Sequence, residues 1–203
     1  MFKYMLLIIM AFSTSLNAIE EIPYTVIKKD GDIEWRQYDS HIVAEVVVEN
    51  EFDDAGNDAF RILVDFIGGE NVGSMEIEMT APVNQIPENG QEIAMTAPVS
   101  QSAVGENRYL VQFAMPAKFT METLPKPLDD RIKIREIPSH QRIAIVYKGS
   151  WSTERYREHE AKLLKYVQEN DIATEGQPIW ARYDSPFRLW FLRRNEILLK
   201  LTS

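Results

Sequence analysis

The chain carries a stretch that repeats itself at a fixed distance. Shifting residues 33–48 by 99 positions places Ile33 on Ile132, Arg36 on Arg135, Ser40 on Ser139, His41 on His140 and Val47 on Val146. Each block leads directly into a segment of helical periodicity. One offset that aligns strand, strand and helix in the same order reads as an internal duplication. In the first half, Tyr24 to Lys28 and Asp32 to Tyr38 read as strands joined at Asp30-Gly31, a hairpin signal, and His41 to Asn50 as a valine-rich third strand. From Phe52 to Ile67 the apolar positions Phe52, Ala55, Ala59, Ile62, Leu63 and Phe66 recur at helical spacing. Asp53 and Asp54 suit the positive end of that helix, and Gly68-Gly69 suits its stop. In the second half, Arg131 to Ile137 and His140 to Lys148 read as strands, and Ser152 or Thr153 caps a helix to about Glu169. Further strands are expected at Glu76 to Val83, Glu92 to Val99, Arg108 to Met115, Pro178 to Tyr183 and Glu196 to Leu201. Neither half has a helix on both sides of each strand, which disfavours a doubly wound parallel sheet. The expected fold is α+β: a duplicated, pseudo-twofold antiparallel β-barrel or sheet with two flanking helices, and a ligand groove between the halves.

Charge and composition remove several classes of function. The 22 Lys+Arg against 31 Asp+Glu give a net charge of −9, which works against a polyanion, so nucleic acid is not an expected partner. The absence of cysteine removes disulfides, Cys–zinc sites, thiol catalysis and thiolate-ligated haem. At the N-terminus, Lys3 precedes the apolar run Met5 to Phe12 and the small and polar residues Ser13 to Ala18. That order reads as a signal peptide over residues 1–18, with a buried N-terminal helix as the alternative. The run is shorter than the ~18 apolar residues that cross a bilayer, so no stable membrane insertion of the mature chain is expected. Removing Lys3 leaves a mature chain at 21 − 31 = −10, read as one exported domain, periplasmic or secreted, over residues 19–203.

Among side chains that carry chemistry, His41 and His140 start equivalent strands, so duplication explains their spacing without a metal. His159 falls on the helix face of Tyr156, Leu163 and Val167, where a histidine at the core edge is the plainer reading. No pair has a close zinc-binding spacing such as HExxH. Ser150, within Lys148-Gly149-Ser150-Trp151, lacks the GxSxG elbow of a serine hydrolase. Glu76, Glu78 and Glu92 alternate with Ile77, Met79 and Ile93, which is the wet face of a strand rather than an acid/base pair. The least ordinary feature is a doubled block, Glu-Ile-Glu-Met-Thr-Ala-Pro-Val at 76–83 and Glu-Ile-Ala-Met-Thr-Ala-Pro-Val at 92–99. Pro82 and Pro98 belong at strand ends or edges, and the methionines either fill core or face a flat apolar ligand.

Several motifs in order resemble the SOUL haem-binding protein family. They are Trp35-Arg36-Gln37-Tyr38, the Met-Thr-Ala-Pro-Val blocks, Met115-Pro116 with Leu124-Pro125-Lys126-Pro127, Arg142 to Gly149, Tyr183-Asp184-Ser185-Pro186-Phe187 and Arg193-Arg194-Asn195-Glu196-Ile197. The resemblance spans about Pro23 to Leu201 and implies a fold similar to the effector-binding domains of some transcription regulators. It implies non-covalent binding of haem or another tetrapyrrole, buffered, transported or sequestered, with a small apolar ligand as the partner. Carried over, the ligand-facing positions are Asn57, Phe60, Arg61 and Val64 on the first helix and Tyr183, Phe187 and Arg188 in a later loop. Arg61 and Arg188 would meet propionates, while Phe60, Tyr183 and Phe187 would meet the ring. Some members carry a histidine where this sequence has Gln37, which leaves His41 or Tyr183 as the axial candidates. Two other functions remain open: a binder of another apolar molecule or a protein-interaction module on the same scaffold, and a hydrolase using Tyr183 and a glutamate.

Overall fold

A computed structural model describes residues 20–72, 90–184 and 187–202. Its strands are β1 (Glu20–Glu21), β2 (Tyr24–Asp30), β3 (Ile33–Tyr38), β4 (His41–Glu49), β5 (Asn71–Val72), β6 (Thr96–Ala97), β7 (Val99–Gly105), β8 (Arg108–Ala114), β9 (Lys126–Pro127), β10 (Lys133–Ile137), β11 (His140–Lys148), β12 (Thr174–Arg182) and β13 (Arg194–Leu201). Two helices, α1 (Phe52–Ile67) and α2 (Thr153–Glu169), occupy the expected positions. Residues 1–18, the first Met-Thr-Ala-Pro-Val block with Glu76, Glu78 and Pro82, and Ser185-Pro186 lie outside the described residues. No helix among the described residues is long and apolar enough to cross a membrane.

Nine strands form one curled antiparallel sheet in the order β10-β4-β8-β7-β12-β13-β11-β3-β2. Exchanging β10 with β3, β4 with β11, β8 with β13 and β7 with β12 reads the first eight strands backwards, which is the duplication written in space. Register agrees, because Val46 faces Val111 in β4–β8 and Ile145 faces Ile197 in β11–β13. The pseudo-twofold axis runs between β7 and β12, at the Gln101–Trp180 pair. Each half gives away a strand: β3 pairs with β11 of the second half, and β10 with β4 of the first. The links between them, Asp39-Ser40 and Pro138-Ser139, therefore cross. Gln37 donates to Ser139 Oγ at 2.9 Å, and Ser139 donates to the Tyr38 carbonyl at 2.9 Å, so the repeated serines sit where the halves interlock.

Period-2 alternation separates two faces. Ala44, Val46, Val111, Phe113, Ile143, Ile145, Ile197 and Leu199 point to the helices, where α1 buries Ala55, Ala59, Leu63 and Phe66, and α2 buries Tyr156, His159, Leu163 and Val167. His159 is thus the core-edge histidine expected, its ring stacked 3.7 Å from that of Tyr147. Ser152 caps α2 by accepting a hydrogen bond from the Arg155 N–H. Ser152→Ala is expected to lower stability by about 1 kcal/mol, read as a lower urea midpoint. Gly56 lies inside α1, where glycine costs about 1 kcal/mol relative to alanine. A Cβ there would come within 2.9 Å of Gln101 Oε1, so close approach to the axis explains it.

Several boundaries differ from the sequence reading, and it does not anticipate strand β7. The first hairpin turns on Gly31-Asp32, with Asp30 paired to Ile33, because Gly31 takes the positive φ (+58°) at the first turn position. Glu92 to Val99 is not one strand. Within it Thr96–Ala97 pairs in parallel with Glu20–Glu21, Val99 opens β7, and Pro98, which has no N–H to donate, separates the two. Strand β12 begins at Thr174, and its register against β13 shifts between Glu175 and Ile179, beside Gly176 at φ +77°. Strand β13 starts two residues early, at Arg194, opposite Lys148.

Candidate functional site

The helix-free face of the sheet is its inner face. Strands β4 and β11 are separated by four others, yet their first residues meet, with His41 and His140 ring centroids 5.9 Å apart. Residues 20–23 lie across this inner face. Their β1 pairs with β6, the Ile22 N–H donates to the Ala97 carbonyl at 3.2 Å, and Ile22 packs against Tyr38, Ala97, Ala144, Ala181, Tyr183 and Leu198. The space left beneath, lined by Tyr38, His41, Ser100, Gln112, Arg142 and Tyr183, is about 10 Å³, enough for one water. A larger cavity of about 280 Å³ opens on the other side of Ile22, between His41, Met115, Phe119, Met121 and the carboxylates Glu20 and Glu136. Its acidic rim opposes an anionic ligand.

The middle of the inner face holds a buried charge network. Arg36 is fully buried and grips Glu196 through two hydrogen bonds of 2.6 and 2.9 Å, while also donating to Glu34 at 2.7 and 2.9 Å. Arg194 adds bonds of 2.7 and 2.9 Å to Glu196, and the Tyr183 hydroxyl donates to Glu196 at 2.8 Å. Burial would lower the Arg36 pKa, but the bonds and charge of Glu196 reverse this and hold it above the ordinary arginine value. Burial, and then the negative charge of Glu196, push the Tyr183 phenol well up. A phenol held neutral and a carboxylate neutralised by two arginines supply neither nucleophile nor base, so this pair lends no support to hydrolysis. Sequence reading missed the network. Its signals were present, in the repeat identity at Arg36 and in the Arg-Arg-Asn-Glu motif ending at Glu196.

The two histidines are a symmetric pair. His41 Nδ1 lies 2.9 Å from the Asp39 carbonyl and His140 Nδ1 2.8 Å from the Pro138 carbonyl, which fixes Nδ1 as the protonated nitrogen in each. Burial, and then the charge of Arg142, push His140 down to about 4; His41 is lowered by burial and Arg142 against the opposing Asp39 carbonyl. No group of three histidine or carboxylate side chains among the described residues is placed to hold a metal ion.

The remaining expected positions lie on the helix side. Asn57, Phe60, Arg61 and Val64 form one stripe of α1 that flanks its buried face, with Val64 partly buried against the core. Phe60 is 37% exposed, with its ring 5.6 Å from Phe113, and Arg61 makes no ion pair with a described residue. Phe187 is 95% exposed and Arg188 bonds Asp184 at 2.6 Å, both in the loop between β12 and β13. That loop leaves the sheet beside α1, since the Arg182 guanidinium lies within 3.6 Å of the position a Cβ on Gly56 would take. The structure therefore groups the α1 quartet, sets Phe187 and Arg188 on a loop rooted near it, and leaves Tyr183 and His41 on the inner face.

These features define a duplicated α+β half-barrel of pseudo-twofold symmetry with its inner groove filled by its own chain. The fold is similar to the C-terminal domain of EcmrR (TM-score 0.56, 14% identity, covering 89% of this chain and 98% of that one). It is also similar to a hydrolase from Listeria innocua (TM-score 0.52, 8% identity, 87% and 94% covered). The sequence matches the SOUL heme-binding protein family over residues 19–200, and the chain belongs to that family. A comparison with curated proteins finds no match.

Proposed function

We propose that this protein is an exported tetrapyrrole carrier that holds its ligand on the α1 stripe and the β12–β13 loop. The observation that carries the reading is exposed Phe60 next to Arg61 on α1 and exposed Phe187 next to Arg188 in the loop, in a protein whose inner face is crossed by residues 20–23 and whose larger cavity has an acidic rim. Membership of a haem-binding family supports the ligand class. A tetrapyrrole suits these residues, for its apolar face needs aromatic and aliphatic cover and its propionates need guanidinium partners. Residues 1–18 would direct export. Neither the Tyr183 hydroxyl, committed to Glu196, nor His41, on the inner face, is placed beside the α1 stripe. Affinity in this reading rests on the porphyrin and not on iron, and iron-free protoporphyrin binds within about tenfold of haem.

Titration of the purified protein with ferric haem tests this. A saturable shift of the Soret band is expected. The double substitution Phe60→Ala/Arg61→Ala should weaken binding by roughly tenfold to a hundredfold, the loss of one aromatic contact and one charged hydrogen bond. Haem binding no tighter than to an unrelated acidic protein would remove the proposal.

A further inference from the structure

Downstream of Phe187, the β12–β13 loop contains more apolar surface than the α1 site needs. Leu189 (60% exposed), Trp190 (59%), Phe191 and Leu192 are all exposed, so five of six consecutive residues present large hydrophobic side chains to solvent. Trp190 and Phe191 are held edge to face, ring centroids 5.7 Å apart, on a short 3-10 turn spanning Trp190–Leu192. The base of the loop is pinned. Arg193 Nε donates to the Arg188 carbonyl at 2.9 Å, and its guanidinium lies 4.4 Å from the Trp151 ring. Across residues 184–196 three arginines stand against Asp184 and Glu196, a local charge of 3 − 2 = +1 inside a chain of net charge −9; Arg188 pairs with Asp184, and Arg194 with Glu196 and Glu21.

We propose that this loop docks the protein onto an anionic lipid surface. Side chains of this size expose on the order of 500 Å² in total. A stable protein interface needs about 800 Å² from each partner, so a second copy of this chain is too large an occupant for the patch. Lipid imposes no such minimum. Tryptophan, phenylalanine and leucine on an exposed turn fit the boundary between headgroups and acyl chains, and Arg188, whose side chain is 53% exposed beside Asp184, is the arginine placed to reach phosphate. At about +1 the loop is the part of this acidic protein that an anionic surface repels least, which confines contact to this one tip. The inference stands apart from the tetrapyrrole reading, because it is tested without haem.

The test uses the full chain and vesicles of phosphatidylcholine with a quarter phosphatidylglycerol. Lipids brominated on the acyl chain should quench tryptophan emission, and Trp190→Phe should bind equally well but lose most of that quenching. Leu189→Asp/Phe191→Asp should reduce co-flotation at least tenfold, whereas Leu128→Asp, at an exposed leucine elsewhere, should leave it unchanged. Omitting phosphatidylglycerol should weaken binding several-fold. Quenching that persists in Trp190→Phe, flotation of the double variant equal to the unmodified chain, or flotation indifferent to phosphatidylglycerol would each overturn the proposal. Both arms carry residues 1–18, so a difference between them traces to the loop.

Discussion

Arg36→Met is expected to lower the free energy of unfolding by about 3–5 kcal/mol, measured by urea denaturation. The change leaves Glu196, which is fully buried, with Arg194 and the Tyr183 hydroxyl, and leaves Glu34 with Lys29. A buried carboxylate that loses two of its guanidinium bonds is costly because no water replaces them. Adding Glu196→Leu should recover more than half of the loss. In the double variant Glu34 keeps its 2.8 Å bond to Lys29, and Arg194 keeps Glu21 at 3.0 Å, so every remaining charge has a partner. A double variant as unstable as the single one would show that Arg36 acts through packing rather than charge.

Stability is expected to fall in mild acid, with His140 the main cause. Its pKa is about 4 in the folded protein against an ordinary value of 6.5, so the folded state binds the proton more weakly than the unfolded chain. The contribution of the neutral ring is therefore complete above about pH 6.5, declines as pH drops, and is gone near pH 4. One proton gives at most about 1.4 kcal/mol per pH unit, or about 3 kcal/mol across the window. His41, lowered for the same reason, adds in the same direction. Glu34 behaves oppositely in origin: burial would raise it, but hydrogen bonds from Lys29 and Arg36 hold it below the ordinary carboxylate value. Its contribution is lost only as pH falls through that lowered value. Urea midpoints between pH 7.5 and 4.5 should drop steeply in the unmodified protein and less steeply in His140→Asn, whose amide can still donate to the Pro138 carbonyl. Equal slopes would assign the acid sensitivity elsewhere.

Local signals located the helices and most strands because each rests on periodicity within a few residues. Helices α1 and α2 have the expected ranges, and His41 and His140 start equivalent strands as the repeat predicts. The 99-residue offset also anticipated a symmetric sheet, whose order reads the same from either half. What the offset does not carry is pairing between halves. Nothing in the sequence around Ile33 says that β3 joins β11 instead of β4, since both are valine- and isoleucine-rich antiparallel partners. The filling of the groove was hidden for the same reason: Ile22 is one apolar residue in a polar stretch until β6 places it against Tyr38 and Tyr183. The candidate site was legible in part, because residues 57, 60, 61 and 64 share a helical stripe by spacing alone. The charge network needed Glu196 beside Arg36, a contact across 160 positions that no local window contains.

That exchange of strands also sets when the protein can fold. As the chain emerges from its N-terminus, β3 is complete by Tyr38, but its partner β11 does not begin until His140. The carboxylate that grips Arg36 arrives later still, in the last strand. Contacts so distant in sequence delay the rate-limiting step until nearly the whole chain is available. Beyond the local β2–β3 hairpin, early segments therefore wait for their final partners while the rest is made, which is what the export proposed above would require.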